Sequence, residues 1–243
     1  TLGDTAFKLL TSEVLFLRHP LKHEGQLTRL RMRMISNKNL ARVAGECGLE
    51  RYLLFFKPNK KQVKTHFLTG AEPVVKIPLK GLADCLESVA GACYLSGGMT
   101  ALRTFATWAK IDISHPLFDP PPPISLKAAA AVTPLESLLK YKFSHPALLL
   151  EALTHPSTLE TDSKCYQRLE FVGDAVLDVL VTDYIFKESA NASPGMMTRM
   201  RQAAVNKRFI GYIAIQMNLH KHMQYFSSEL GKSIQSFKEH VSK

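Results

Sequence analysis

Cysteine is scarce in this chain, four in 243 residues, and Cys47, Cys85, Cys93 and Cys165 show neither the close paired spacing of a zinc site nor the density of a secreted disulfide scaffold. Reduced, packed thiols are expected. No apolar run approaches the length that spans a bilayer, so no membrane partner is expected. Acidic residues are in deficit: 21 Asp and Glu against 31 Lys and Arg leave a net charge of +10. That balance favours a polyanionic partner but does not separate RNA from DNA or acidic lipid. The deficit is uneven, with 17 Lys and Arg against 9 Asp and Glu in residues 1–118 and 14 against 12 in residues 119–243. A basic-then-apolar leader is missing at the N-terminus, which points to an intracellular setting, cytoplasm and nucleus both open. Strand-like alternation is rare as well. Long segments of helical periodicity dominate instead, at Asp4–Leu17, Gly25–Leu54, Leu82–Ser96, Pro146–Leu153, Arg168–Phe186 and Met196–Met217, and predict an all-α fold.

What the chain does have is a break and a repeat. Asp119 and four prolines, Pro120 to Pro123, precede a run of alanines from Ala128 to Ala131, the composition of a semi-rigid spacer. Thr133, Pro134 and Glu136 then fit the N-cap, first and third positions of a new helix. Sliding the chain against itself by 170 residues lays Gly3-Asp4 on Gly173-Asp174 and keeps register through Phe16 and Phe186, Gly25 and Gly195, Thr28-Arg29 and Thr198-Arg199, Arg31 and Arg201, and Leu49 and Leu219. A period this long is a domain duplication. The reading is a first domain over 1–118, a linker over 119–132 and a second domain over 133–243.

Glu170 and Asp174 stand four residues apart on a helix and therefore share a face. Leu169, Phe171, Val172, Val176, Leu177 and Leu180 surround them, which predicts that the pair does not simply face solvent. Two like charges so placed repel unless a cation or a donor compensates, and a divalent metal is the economical compensation. Asp84 and Glu87, three apart, form a second acidic pair on one helix face; taken alone, such a pair is usually a solvated face. Met32, Met34, Met196, Met197, Met200 and Trp108 are expected in the core, and Arg29, Arg33 and Arg199 are candidates for phosphate contact.

Gln167-Arg168-Leu169-Glu170-Phe171-Val172-Gly173-Asp174-Ala175-Val176-Leu177 resembles the signature helix of the ribonuclease III family, and Asp84 with Glu87 resembles its later Asp-x-x-Glu motif. The tandem arrangement, with Lys22 to Leu27 and Ile35 to Leu40 in the first copy and Cys165 to Phe171 in the second, is similar to the Dicer type. Lys57 to Lys76 carries no recognisable family pattern. The resemblance implies two helical nuclease domains packed as an intramolecular pseudo-dimer. It implies magnesium, with manganese able to substitute, held by Asp4, Asp84, Glu87, Glu170 and Asp174, and no histidine or lysine base. The implied substrate is double-stranded RNA, cut into small duplexes with short 3′ overhangs for RNA silencing, and double-stranded-RNA-binding proteins are candidate partners. Each site is short of its family set of four carboxylates, since the glutamate before Asp4 and an Asp-x-x-Glu after Asp174 would fall outside residues 1–243. A fragment inactive by itself is therefore expected. The alternative is a non-catalytic scaffold that keeps the fold to bind double-stranded RNA or to dimerise.

Overall fold

The computed structural model describes residues 1–53, 77–158, 164–189 and 191–241. The basic connection from Lys57 to Lys76, with its lysines at 57, 60, 61 and 64, lies outside them. Helices dominate the described residues, no strand is present among them, and the fold is all-α as expected. The helices are α1 (Leu2–Arg18), α2 (Glu24–Met34), α3 (Asn37–Glu46), α4 (Leu79–Trp108), α5 (Leu126–Leu139), α6 (Pro146–Leu153), α7 (Gln167–Glu188), α8 (Pro194–Ala204), α9 (Lys207–Gln216) and α10 (Ser228–Val241).

The single segment expected over Gly25–Leu54 is divided, and its repeat equivalent over Met196–Met217 divides at the same register. Ser36 accepts the amide of Asn39 to start α3, and Asn206 accepts the amide of Arg208 to start α9. Positions 36 and 206 are 170 apart, so one capping site has been kept by two different residue types that both satisfy an orphan helix donor. Gly97-Gly98 interrupts α4 as its residue types suggest: Gly98 has φ +63°, where a Cβ would be strained, and the helical course resumes to Trp108.

The expected helix start at Thr133 is corrected. The helix begins after Ser125, whose hydroxyl accepts the amide of Ala128, and the alanine run propagates it through Pro134. Alanine's propensity sustains the helix, and the proline forfeits one intrahelical bond. Glu136 accepts the amide of Phe143 instead of closing a capping box. Val132 and Leu135 then pack on Leu149, so the end of the spacer belongs to the second half's apolar cluster.

Helix α1 is the centre of the molecule. One side, with Ala6, Phe7, Leu10 and Val14, packs on Leu40, Val43 and Ala44 of α3 and on Ala83, Leu86, Ala90, Leu102 and Phe105 of α4. Its buried Thr5, Thr11 and Ser12 donate their hydroxyls to carbonyls one turn back in the same helix. The other side meets α7. Phe171 leaves its own half and sits with Leu15 and Leu27 of the first, under the Arg31 guanidinium 4.5 Å from its ring. Arg168 donates to the carbonyls of Phe16 and His19 at the C-terminal end of α1, and to that of Lys22 just beyond it. An end that would leave acceptors unsatisfied is thus capped from the other half. The two halves pair within one chain, as the resemblance implies.

The second half is less covered. Val176, Leu177, Leu180 and Tyr184 are 36, 43, 60 and 66% exposed, whereas Ala6, Phe7, Leu10 and Val14, their repeat equivalents, are at most 1% exposed. In the first half α4 covers that face, and no described element takes its place in the second. Three core expectations are also corrected. Trp108 is half exposed, stacked on Phe105, and Met32 and Met196 lie outward on α2 and α8 while Met197 is buried.

Candidate catalytic site

Asp4 lies in the first turn of α1, and Asp84 and Glu87 lie one turn apart on α4. Small residues bring these helices into backbone contact: a Cβ on Gly3 would stand 1.7 Å from the Glu87 carbonyl oxygen, and Gly91 meets the Gly3 amide from the other side. Only glycine permits that approach, and it sets Asp4 beside the Glu87 turn. The result is electrostatic. Burial raises the Glu87 carboxyl above its ordinary value, and the charges of Asp4 and Asp84 raise it further. Asp84 itself is exposed and paired with Lys80 on its own helix at 2.8 Å. The oxygen donors gathered around Glu87 are of the hard type that a divalent cation binds. Among the described residues, however, no three carboxylate, imidazole or thiol groups stand close enough to enclose one.

The second acidic pair is differently placed. Glu170 and Asp174 share a face of α7 as their spacing predicts, but both are exposed, and the expectation that apolar neighbours shield them is corrected. The reason is the uncovered face of α7 described above. They line a cavity of about 690 Å³ to which the first half contributes Glu24 and Arg31 and α9 contributes Lys207. Asp174 is held by Lys8 of the first half at 2.6 Å. Arg31 donates to Ser12 Oγ at 2.9 Å; burial lowers its guanidinium pKa, and the charges of Asp174, Asp178 and Glu24 act in the opposite sense.

The structure therefore groups Asp4 with Asp84 and Glu87, and Glu170 with Asp174, in separate places. Sequence reasoning missed Lys8, Glu24, Arg31 and Lys207 as neighbours of the second pair. Glu24 and Arg31 come from the other half and left no local signal, but Lys8 was visible in the repeat, where it stands opposite Asp178. Arg29, Arg33 and Arg199 are exposed. His155 is a packing residue: its ring meets Ser157, whose hydroxyl accepts the amides of Phe226 and Ser227. Among the described residues no helix is long and apolar enough to cross a membrane.

Residues 1–98 match the family described as Ribonuclease III domain, and residues 145–242 the one described as Ribonuclease-III-like. Endoribonuclease Dicer homolog 1 of Arabidopsis thaliana is 32% identical over 99% of this chain and 15% of its own length. Endoribonuclease Dicer homolog 2 of the same plant is 33% identical over 96% of this chain and 18% of its own. The chain thus spans less than a fifth of these relatives. The solved nuclease domain of ribonuclease III from Campylobacter jejuni is 32% identical over 45% of this chain and 78% of that one, with a TM-score of 0.40.

Proposed function

The chain belongs to the ribonuclease III family and carries two of its domains in tandem, and from that premise we propose that it is the nuclease core of a Dicer-like enzyme that hydrolyses double-stranded RNA. The observation that carries the reading is the placement of Asp4 beside the Asp84–Glu87 turn, set by the close backbone contact of Gly3 with Glu87, where burial and the two other charges raise the Glu87 carboxyl. A half-buried carboxyl crowded by two others is costly to ionise, and such a cluster is more readily explained as a cation site than as a support of the fold. Asp4, Asp84 and Glu87 would hold magnesium, or manganese in its place, in the first half, and Glu170 and Asp174 would contribute to a second site. When bound, the metal would supply a water molecule of lowered pKa and positive charge against the reacting phosphate. The protein's own task is to orient: the contact at Gly3 fixes Asp4 against Glu87, and Arg31 and Lys207 present positive charge to the cavity beside Asp174 where a phosphate backbone would lie.

In this reading each half cuts one strand, leaving a 5′-phosphate and a 3′-hydroxyl. The paired halves offset the two cuts to give short 3′ overhangs on small duplexes suited to RNA silencing. The test labels one strand of an RNA duplex at a time and follows cleavage in magnesium by the intact protein. Asp84→Ala is expected to abolish the cut in one strand and Glu170→Ala the cut in the other. Loss of both cuts from either single variant would sink the assignment of one site to each half.

A further inference from the structure

Lys8 and Asp178 occupy the same position of the internal repeat, 170 residues apart, and carry opposite charges. The fold sets them against each other. Lys8 Nζ lies 2.5 Å from Asp178 and 2.6 Å from Asp174, with the side chains of Lys8 and Asp178 only 19% and 10% exposed. Arg201 of α8 approaches the other Asp178 oxygen at 3.7 Å and is similarly shielded. Charges so withdrawn from water are tolerated only when paired.

Positions 174 and 178 of the second half correspond to 4 and 8 of the first, so position 8 of one half meets positions 4 and 8 of the other. Two second halves pairing in this geometry would set Asp174 and Asp178 of one copy against the same two acids of its neighbour, with no ammonium between them. Two first halves would bring each Lys8 against Asp4 as well as Lys8 of the other, a balanced set. The charges therefore set the mixed pair above the pair of second halves, which is the choice open to the second half. Apolar contact does not make this choice. The seat of Phe171 is Leu15 and Leu27 in the first half, and the corresponding positions in the second are Ile185 and Met197, apolar and buried as well.

We propose that Lys8 and Asp178 form a pairing code, by which the second half selects the first half of a chain over another second half. The apolar seat supplies adhesion, and the buried charges supply the choice of partner. The code resides in residue types at one register position, so exchanging them should exchange the preference.

The test uses three variants of the 243-residue chain: Lys8→Asp, Asp178→Lys, and the two together. Association is followed by sedimentation velocity with native mass spectrometry, and stability by thermal unfolding. Each single variant places like charges between its own halves, which should weaken their pairing by roughly 10- to 100-fold and lower the unfolding midpoint. Mixed in equal amounts, the two single variants should form a two-chain complex, because each first half then meets an opposite charge on the other chain's second half. The double variant should return to a single compact chain and recover part of the midpoint lost in each single variant, the remainder being repulsion of the exchanged charges by Asp174 and Arg201. A mixture that forms no complex would overturn the proposal. So would a double variant that unfolds as early as the single ones, since position 8 would then matter for its shape or burial and not for its charge relative to position 178.

Discussion

Replacing Phe171 by alanine should separate the two halves before it unfolds either of them. The ring is 2% exposed and sits with Leu15 and Leu27, at 2% and 0%, and with Leu30, Met34 and Val172 at its edge. Truncating a buried phenylalanine to alanine costs about 3–5 kcal/mol, from lost transfer energy and the cavity left behind. The Arg31 guanidinium 4.5 Å above the ring loses a further ~0.5–2 kcal/mol of cation–π attraction. The combined loss, about 3.5–7 kcal/mol, is comparable with the whole stability of an ordinary domain, about 5–15 kcal/mol. The loss is not spread evenly, because the first half keeps its own core of α1, α3 and α4. Urea unfolding followed by far-ultraviolet circular dichroism should therefore show an earlier midpoint and a transition split in two, with the later step belonging to the first half. Phe171→Leu, which conserves most of the volume, should cost less than about 1.5 kcal/mol and keep one transition. A loss under about 1 kcal/mol for the alanine variant, with an unchanged denaturant slope, would refute the reasoning, because a ring that seals the pair cannot be removed so cheaply.

Two further predictions concern the first site. Gly3→Ala should destabilise the chain by about 3 kcal/mol, since its methyl meets backbone atoms of Glu87 at 1.7 and 2.7 Å and the helices must move apart. Gly173→Ala, at the equivalent position with nothing within 4 Å, should stabilise by up to about 1 kcal/mol through helix propensity alone, and equal effects in thermal unfolding of the two would contradict the contrast. For Glu87 the folded state holds its proton to higher pH than the unfolded state does. Glu87 therefore favours the fold below its unfolded pKa, and this contribution is lost as pH rises through the raised folded value. Glu87→Gln should remove that dependence and raise the unfolding midpoint at neutral pH while abolishing the first half's cut; a lower midpoint at pH 7 would show that the carboxylate supports the fold.

The helices were legible because local signals and the repeat agreed. Ser36 and Asn206 cap at positions 170 apart, Gly98 takes the positive φ that its residue type allows, and the apolar period of α1 is answered by a core on α3 and α4. Helix α5 was misjudged because Thr133-Pro134 is a good helix start in isolation, and nothing in those residues says that Ser125 has already started one. The acidic pair on α7 was misjudged for a different reason. Periodicity gives a helix an apolar face but not the element that covers it, and among the described residues nothing covers α7 as α4 covers α1. The grouping of Asp4 with Glu87 depends on a close approach at Gly3 that spacing alone does not reveal, although a glycine one residue before each signature aspartate hinted at it. Lys8 shows what the repeat could have added. Two copies of one sequence position with opposite charges are uninformative as single residues, but in a duplicated fold whose halves pair along this helix they come to face each other. The distance from position 8 to position 178 is thus a consequence of duplication and pairing together, and it is where sequence and structure constrain each other most tightly.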